Sequence, residues 1–108
     1  MGHLGVREKK LKAFLARVNE RFPLERAILF GSRARGDELK DSDYDLILVS
    51  PAFFGLGFSQ RVGEVLKLWD LEVGVEPLCY TPEEFEERSR KITIVAESLR
   101  EGRQVWPD

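Results

Sequence analysis

Residues 28–50 read ILFGSRARGDELKDSDYDLILVS, and this stretch decides the architecture. A short apolar run ends at Gly31, and a second apolar run covers Tyr44–Val49. We interpret both runs as buried strands, because short apolar runs bounded by turn residues are typical of strands in a core. The polar segment between them, residues 32–41, is predicted to be a loop or one helical turn.

Hydrophobic periodicity predicts the elements on either side of this stretch. A first amphipathic helix should end at Pro23, and its apolar stripe consists of Leu11, Phe14, Leu15, Val18 and Phe22. A second helix should begin with Ser59 as its N-cap, and its apolar stripe consists of Val62, Val65, Leu66 and Trp69. Residues 73–80 are predicted to form a third strand.

A capping box marks the start of the last predicted helix. Thr81 can cap it, Pro82 suits its first position, and Glu84 completes the box. We expect one helix from Pro82 to Gly102, followed by a short strand over residues 104–106. The resulting order of elements predicts an α/β (α+β) fold, a small mixed β-sheet with helices packed on it, as one domain over residues 1–108.

Size and composition narrow the classes of function. The chain has 108 residues, with 43% hydrophobic and 33% charged residues and a formal net charge of -2. This balance is typical of a soluble globular domain and disfavours binding along an extended nucleic acid, which needs a basic face. Cys79, the single cysteine, has no partner for an internal disulfide, and we find no signal peptide or membrane span. We therefore expect a cytoplasmic protein that does not bind a membrane.

Asp43 and Asp45 are the candidate metal ligands. Side chains two residues apart on a strand lie on the same face of a sheet, and two carboxylates at the start of an apolar strand repel each other. Magnesium or manganese ions would offset this repulsion. The spacing alone is not specific, because such acidic pairs occur four times, at Asp41/Asp43, Asp43/Asp45, Asp70/Glu72 and Glu84/Glu86. Asp43 and Asp45 could also be a solvated strand entrance.

The Gly31-Ser32 turn favours the functional interpretation. Glycine allows a ligand close to the backbone, and the following amide groups with the Ser32 hydroxyl can donate to phosphate oxygens. Arg33 and Arg35 follow directly and could neutralise or orient a triphosphate, although both could also be solvated. The segment is not a P-loop, because Asp37 occupies the position that requires lysine.

Glu76 is the candidate third carboxylate. It lies between Val75 and Pro77 in an otherwise apolar predicted strand, where a charged residue calls for a reason. The alternative is an edge strand with one face in water. Asp70 and Glu72 come earlier in the chain and are the next candidates for the same role.

Taken together, Gly31-Ser32, Asp43 and Asp45 resemble the motif of the minimal nucleotidyltransferases, in the DNA polymerase beta-like superfamily. The resemblance covers most of the chain, since the segment VEPLCYTPEEFEE (residues 75–87) is similar to the third strand and final helix of those proteins. It implies that Asp43, Asp45 and Glu76 bind divalent metal, Mg²⁺ or Mn²⁺, and that the Gly-Ser turn holds the phosphates of ATP. In the family the third carboxylate is often aspartate.

The resemblance also implies a biological setting. Many minimal nucleotidyltransferases are encoded beside a small helical toxin of the HEPN type, a ribonuclease. This chain resembles those that act as antitoxins by transferring AMP from ATP to a tyrosine of that toxin. The sequence leaves two alternatives open, namely a non-catalytic module that neutralises such a partner by contact, and a small-molecule nucleotidyltransferase. Because larger relatives have a second domain, we expect a partner or a homodimer to complete the site. The apolar connector over residues 53–58 is a candidate contact surface, although its aromatic residues could instead cap the core.

Overall fold

A four-stranded mixed sheet organises the part of the chain that the computed structural model describes, residues 6–31, 43–91 and 94–107. The elements in order are α1 (Val6–Arg21), β1 (Arg26–Phe30), β2 (Tyr44–Val49), a 3-10 turn (Pro51–Phe53), α2 (Phe58–Leu66), β3 (Val75–Tyr80), α3 (Pro82–Ser89), α4 (Ile94–Glu101) and β4 (Arg103–Trp106). The strand order is β3-β2-β1-β4, with β2 parallel to β3 and β1 antiparallel to both neighbours. This confirms the predicted fold class.

The sheet buries a different set of side chains on each face. On the first face, α1 and α2 pack over Ala27, Leu29, Leu46 and Leu48. On the second face, Phe85 of α3 and Val95 of α4 pack over Ile28, Ile47, Val49 and Tyr80. Since β2 is covered on both faces, its run of apolar residues needs no polar alternation. The second-face core contains β2 residues only from Ile47 onwards, and Asp43 before this strand is exposed.

Pro77 lies inside β3, where it pairs in register with Leu46. Proline cannot donate a ladder hydrogen bond, and it is therefore confined mainly to edge strands. β3 is an edge strand of this sheet, with β2 as its neighbour. The topology thus accounts for the proline that interrupts an otherwise apolar run.

The prediction for α2 was wrong at both ends. Gly57, not Ser59, is the N-cap, because Phe58 is already helical and the amide of Arg61 donates to the carbonyl of Gly57 at 3.0 Å. The helix ends at Leu66, before Trp69. Trp69 lies in the following turn, where its indole Nε1 donates to the carbonyl of Val73 at 2.7 Å and its ring packs edge-on against Phe14 at 4.8 Å.

The prediction of one long C-terminal helix was also wrong, because two helices occupy this region. α3 ends at Ser89, and the amides of Arg90 and Lys91 bond to carbonyls three residues back, as in a tightening last turn. The next described helix begins at Ile94. The start of α3 agrees with the prediction, since Thr81 and Glu84 form a full capping box.

The connector over residues 53–58 divides between core and surface. Phe53 is fully buried and packs against Phe22 at a ring distance of 4.9 Å, as expected of a residue that caps the core. Phe54 is 83% exposed, and Gly55 follows it with φ +88°. Hydrogen bonds from Ala52 to the Ser50 hydroxyl and from Phe54 to the Pro51 carbonyl hold this turn.

Cys79 lies in the core, as the sequence indicated. Its side chain is 2% exposed, and burial raises the pKa of its thiol to about 12. A thiol in this state is a small core residue and not a nucleophile. Within the described ranges, none of the helices has the length and apolar character required to cross a membrane.

Candidate active site

Gly31 ends β1 in a backbone conformation that favours glycine. Its φ is +77°, in the left-handed region that residues with a Cβ rarely adopt. A Cβ at this position would also overlap with Oδ2 of Asp45. Glycine is therefore required at position 31 for two reasons, namely the backbone conformation of the turn and the close approach of the Asp45 carboxylate.

Asp43 and Asp45 lie where β2 begins. Asp45 is half-buried and pairs in register with Phe30 of β1 on one side, and Asp43 is exposed just before the strand. Because side chains alternate along a strand, both aspartates share the second face of the sheet with Ile47. The two carboxylates are thus on the same face, as predicted.

Glu76 lies beside Asp45 on the neighbouring strand. The parallel register of β2 and β3 pairs the two residues directly, and adjacent strands are about 4.8 Å apart. The side chains of Glu76 and Pro77 lie on opposite faces of the sheet. Glu76 therefore shares the second face with Leu78, which packs against the core on that face. Three carboxylates from two adjoining strands therefore occupy one corner of one face, with Gly31 next to Asp45.

The three carboxylates interact electrostatically. Burial first, then the charge of Glu76, then the charge of Asp43 raise the pKa of Asp45 above its ordinary value. A carboxylate that is half-buried and faces two like charges is a site where a cation would be favourable. Perturbed carboxylates of this kind cluster at functional sites, although ion-pair networks also produce them.

The aspartate carboxylates lean towards opposite neighbours. Asp45 approaches Gly31 on the β1 side, whereas Asp43 lies over Gly74 on the β3 side, where a Cβ would be 2.8 Å from its Oδ1. Among the described residues, no three His, Cys, Asp or Glu side chains converge closely enough to hold a metal ion alone. Phosphate oxygens of a nucleotide would have to complete the coordination, which is how Mg²⁺ is commonly bound.

Three residues predicted to contact phosphates, Ser32, Arg33 and Arg35, lie outside the described residues. Their placement beside the carboxylates stays a prediction. Gly74 was missed by the sequence analysis, since only the pairing of β2 with β3 brings it to Asp43. A local signal could not have identified it.

Asp70, one of the two alternatives for the third carboxylate, is directed away from this corner. Its Oδ1 accepts a 2.9 Å hydrogen bond from Arg17 of α1, and its side chain is 68% exposed. Since α1 packs on the first face of the sheet, this pair belongs to the face opposite Asp45. Glu76 is therefore better placed than Asp70.

The sequence profile of the nucleotidyltransferase domain family matches residues 11–100, which include Gly31, both aspartates and Glu76. The chain belongs to the nucleotidyltransferase domain family. This membership supports transferase activity. A comparison of the sequence with curated proteins found no match.

Two solved structures resemble this nucleotidyltransferase domain. A Sulfolobus solfataricus protein assigned as a nucleotidyltransferase is 28% identical, with a TM-score of 0.62 over 81% of this chain and 84% of that chain. A toxin-antitoxin structure with AMP-PNP is 17% identical, with a TM-score of 0.56 over 95% of this chain and 75% of that chain. The toxin-antitoxin structure is therefore similar to this chain in fold alone.

Proposed function

We propose that this nucleotidyltransferase domain transfers AMP from ATP to a hydroxyl group. The observation that carries the proposal is the placement of Asp43, Asp45 and Glu76 at one corner of one face of the sheet, with Gly31 beside Asp45. In the reaction, the acceptor oxygen bonds to the α-phosphorus of ATP and loses its proton. The bond from that phosphorus to the bridging oxygen breaks, and pyrophosphate leaves.

The donor set fits a divalent metal. Carboxylate oxygens are the ligands that Mg²⁺ and Mn²⁺ prefer, and burial together with the charges of Glu76 and Asp43 raises the pKa of Asp45, so that a cation would be favourable beside it. A metal held by Asp43, Asp45 and Glu76 together with phosphate oxygens would neutralise phosphate charge and lower the proton affinity of the acceptor hydroxyl.

The chain's own groups supply position and charge. Asp45 is fixed by its packing against Gly31 and by the register of β2 between two strands. We propose that the Gly31 turn with Ser32 holds the phosphates, and that Arg33 and Arg35 orient the triphosphate. Glu76 is exposed, and we propose that it assists the acceptor hydroxyl. Reactions of this type depend mainly on positioning and electrostatic stabilisation.

Glu76→Gln is expected to lower kcat by about a hundredfold, with a much smaller change in the KM for ATP. The reason is that the amide keeps the shape of the side chain but loses the charge that assists deprotonation of the acceptor. Steady-state kinetics with Mg²⁺ would measure both constants. Asp70→Asn is the matched control, because it is the same kind of change on the opposite face. Equal kinetics for Glu76→Gln and wild type would assign the third role to another residue.

We propose a helical toxin of the HEPN type as the partner, with one of its tyrosines as the acceptor. The fold shared with a toxin-antitoxin structure that contains AMP-PNP supports this choice. Phe54 is the proposed contact residue, because it is 83% exposed on a hydrogen-bonded turn. It borders a hollow of about 530 Å³ that Glu83 and Glu84 also line, and this surface suits an apolar side chain next to a basic one. Buried, free Cys79 agrees with a cytoplasmic setting.

The experiment that tests this function uses ATP labelled at the α-phosphate, Mg²⁺, the chain and the product of a neighbouring gene. Label on a partner tyrosine, absent with EDTA, is the expected result. Inhibition of the partner without label would favour the non-catalytic binding module. Label on neither protein but on a small hydroxyl compound would favour the small-molecule transferase.

A further inference from the structure

Gly74 lies immediately before β3, on the carboxylate face of the sheet. Backbone conformation does not require glycine at position 74, because only Gly31 and Gly55 among the described glycines have positive φ. Glycine is required there because the space that a side chain would fill is occupied. A Cβ at Gly74 would lie 2.8 Å from Oδ1, 3.1 Å from Cγ and 3.4 Å from Oδ2 of Asp43. All three of these nearest atoms belong to one carboxylate group.

We infer that Gly74 is a positioning residue for the metal ligand Asp43. The carboxylate of Asp43 packs against the α-carbon of Gly74, in the space that a side chain at position 74 would fill. The inference rests on the proposed function, since it assigns a role to Asp43 in binding metal. Gly74 and Glu76 are two residues apart and therefore lie on the same face of the sheet. Packing against Gly74 thus places the Asp43 carboxylate next to Glu76 along β3. Gly31 holds Asp45 in the matching way on the other side of β2.

The backbone at this point cannot readily move to accommodate a methyl group. The amide of Tyr44 donates to the carbonyl of Gly74 at 2.9 Å, and Tyr44 pairs in register with Val75. Tyr44 is itself buried, and its ring packs against Trp69 at 5.5 Å. The Asp43 carboxylate is the end of an exposed side chain that can rotate. A methyl group at position 74 should therefore turn this carboxylate away and leave the fold intact.

The test compares Gly74→Ala with Gly63→Ala in the full chain. Gly63 lies in α2, and a Cβ there meets nothing within 4 Å, so the chemical change is the same without the displaced carboxylate. Titration calorimetry would measure Mn²⁺ binding in the presence of an ATP analogue with a methylene bridge between the α- and β-phosphorus atoms. Thermal unfolding of both metal-free variants would measure stability.

We expect Gly74→Ala to weaken Mn²⁺ binding by about tenfold, as is common for residues that orient metal ligands. Its unfolding temperature should stay close to that of the wild type, and Gly63→Ala should bind Mn²⁺ normally. Equal Mn²⁺ affinity for the two variants would overturn the role of Gly74 and leave the proposed function in place. A large fall in unfolding temperature for Gly74→Ala would instead show a structural role. If the wild type binds no Mn²⁺ with the analogue, the proposed function fails, and the inference fails with it.

Discussion

Asp45→Asn is expected to lower the rate of nucleotidyl transfer by about a thousandfold while the metal-free chain unfolds at the same or a higher temperature. A bound metal supplies several kcal/mol of charge stabilisation in the transition state, and about 1.4 kcal/mol corresponds to a factor of ten in rate. The asparagine keeps the shape that packs against Gly31 but provides a weaker metal ligand. Asp43→Asn should cause a similar loss of transfer.

The stability half of this prediction follows from the raised pKa of Asp45. Because the folded chain raises this pKa, ionisation of Asp45 disfavours folding. The penalty is absent below the ordinary pKa of an aspartate and is complete once the pH exceeds the raised folded value. At neutral pH the wild type therefore carries this penalty, and asparagine removes it. Functional sites commonly reduce stability in this way.

Two measurements on each variant check the prediction. Transfer of the α-phosphate label reports activity, and thermal unfolding with EDTA or with Mg²⁺ and ATP reports stability. Mg²⁺ with ATP should raise the unfolding temperature of the wild type more than that of Asp45→Asn. Asp70→Asn is the control and should match the wild type in transfer. Full transfer activity in Asp43→Asn or Asp45→Asn would remove these residues from the site.

Arg61→Ala is expected to cost about 3 kcal/mol of unfolding free energy, since it breaks a buried charged network. Arg61 is 4% exposed, and its guanidinium donates to the carbonyls of Leu56 and Cys79 at 2.9 and 3.0 Å. It also forms a 2.7 Å ion pair with Glu84 and lies over the ring of Phe58 at 4.6 Å. Alanine would leave two carbonyls without their donor, and buried polar groups without partners are costly.

The contact between Arg61 and Glu84 also contributes to the start of α3. Glu84 accepts from the amide of Thr81 at 2.9 Å, so Arg61 bonds the carboxylate that completes the capping box. The hydrogen bond from Arg61 is the main reason that the pKa of Glu84 is lowered. A lowered carboxyl pKa stabilises the fold above the ordinary value, and this stabilisation is lost as the pH falls through the lowered value. Arg61→Ala should therefore lose part of the wild type's acid sensitivity.

Urea unfolding of the full chain at neutral and acidic pH measures both effects. Arg90→Ala is the matched control, because Arg90 pairs with Glu86 on an exposed surface, with 71% and 72% of the two side chains accessible. Such pairs contribute little, and we expect the control to change stability by less than about 0.5 kcal/mol. An equally small change for Arg61→Ala would show that the buried network does not stabilise the fold.

Local patterns predicted much of this fold. The stripe of α1, the two apolar runs of β1 and β2, and the capping box of α3 lie within short segments, and their physical causes act over one or two turns or one strand. The errors arose where distant contacts decide. α2 ends before Trp69, whose ring packs against Phe14 of α1 and Tyr44 of β2. The predicted last helix is two helices, of which the first ends at Ser89 and the second begins at Ile94.

The candidate site shows the same division. The sequence by itself determined that a glycine turn precedes two carboxylates on one face of an apolar strand, because strand geometry alternates side chains whatever lies next to them. Only the tertiary structure decided which residues approach these carboxylates. The parallel pairing of β2 with β3 aligns Asp45 with Glu76 and Tyr44 with Val75, and so brings Gly74 to Asp43. That register depends on packing both faces of the sheet together, and a single strand does not encode it.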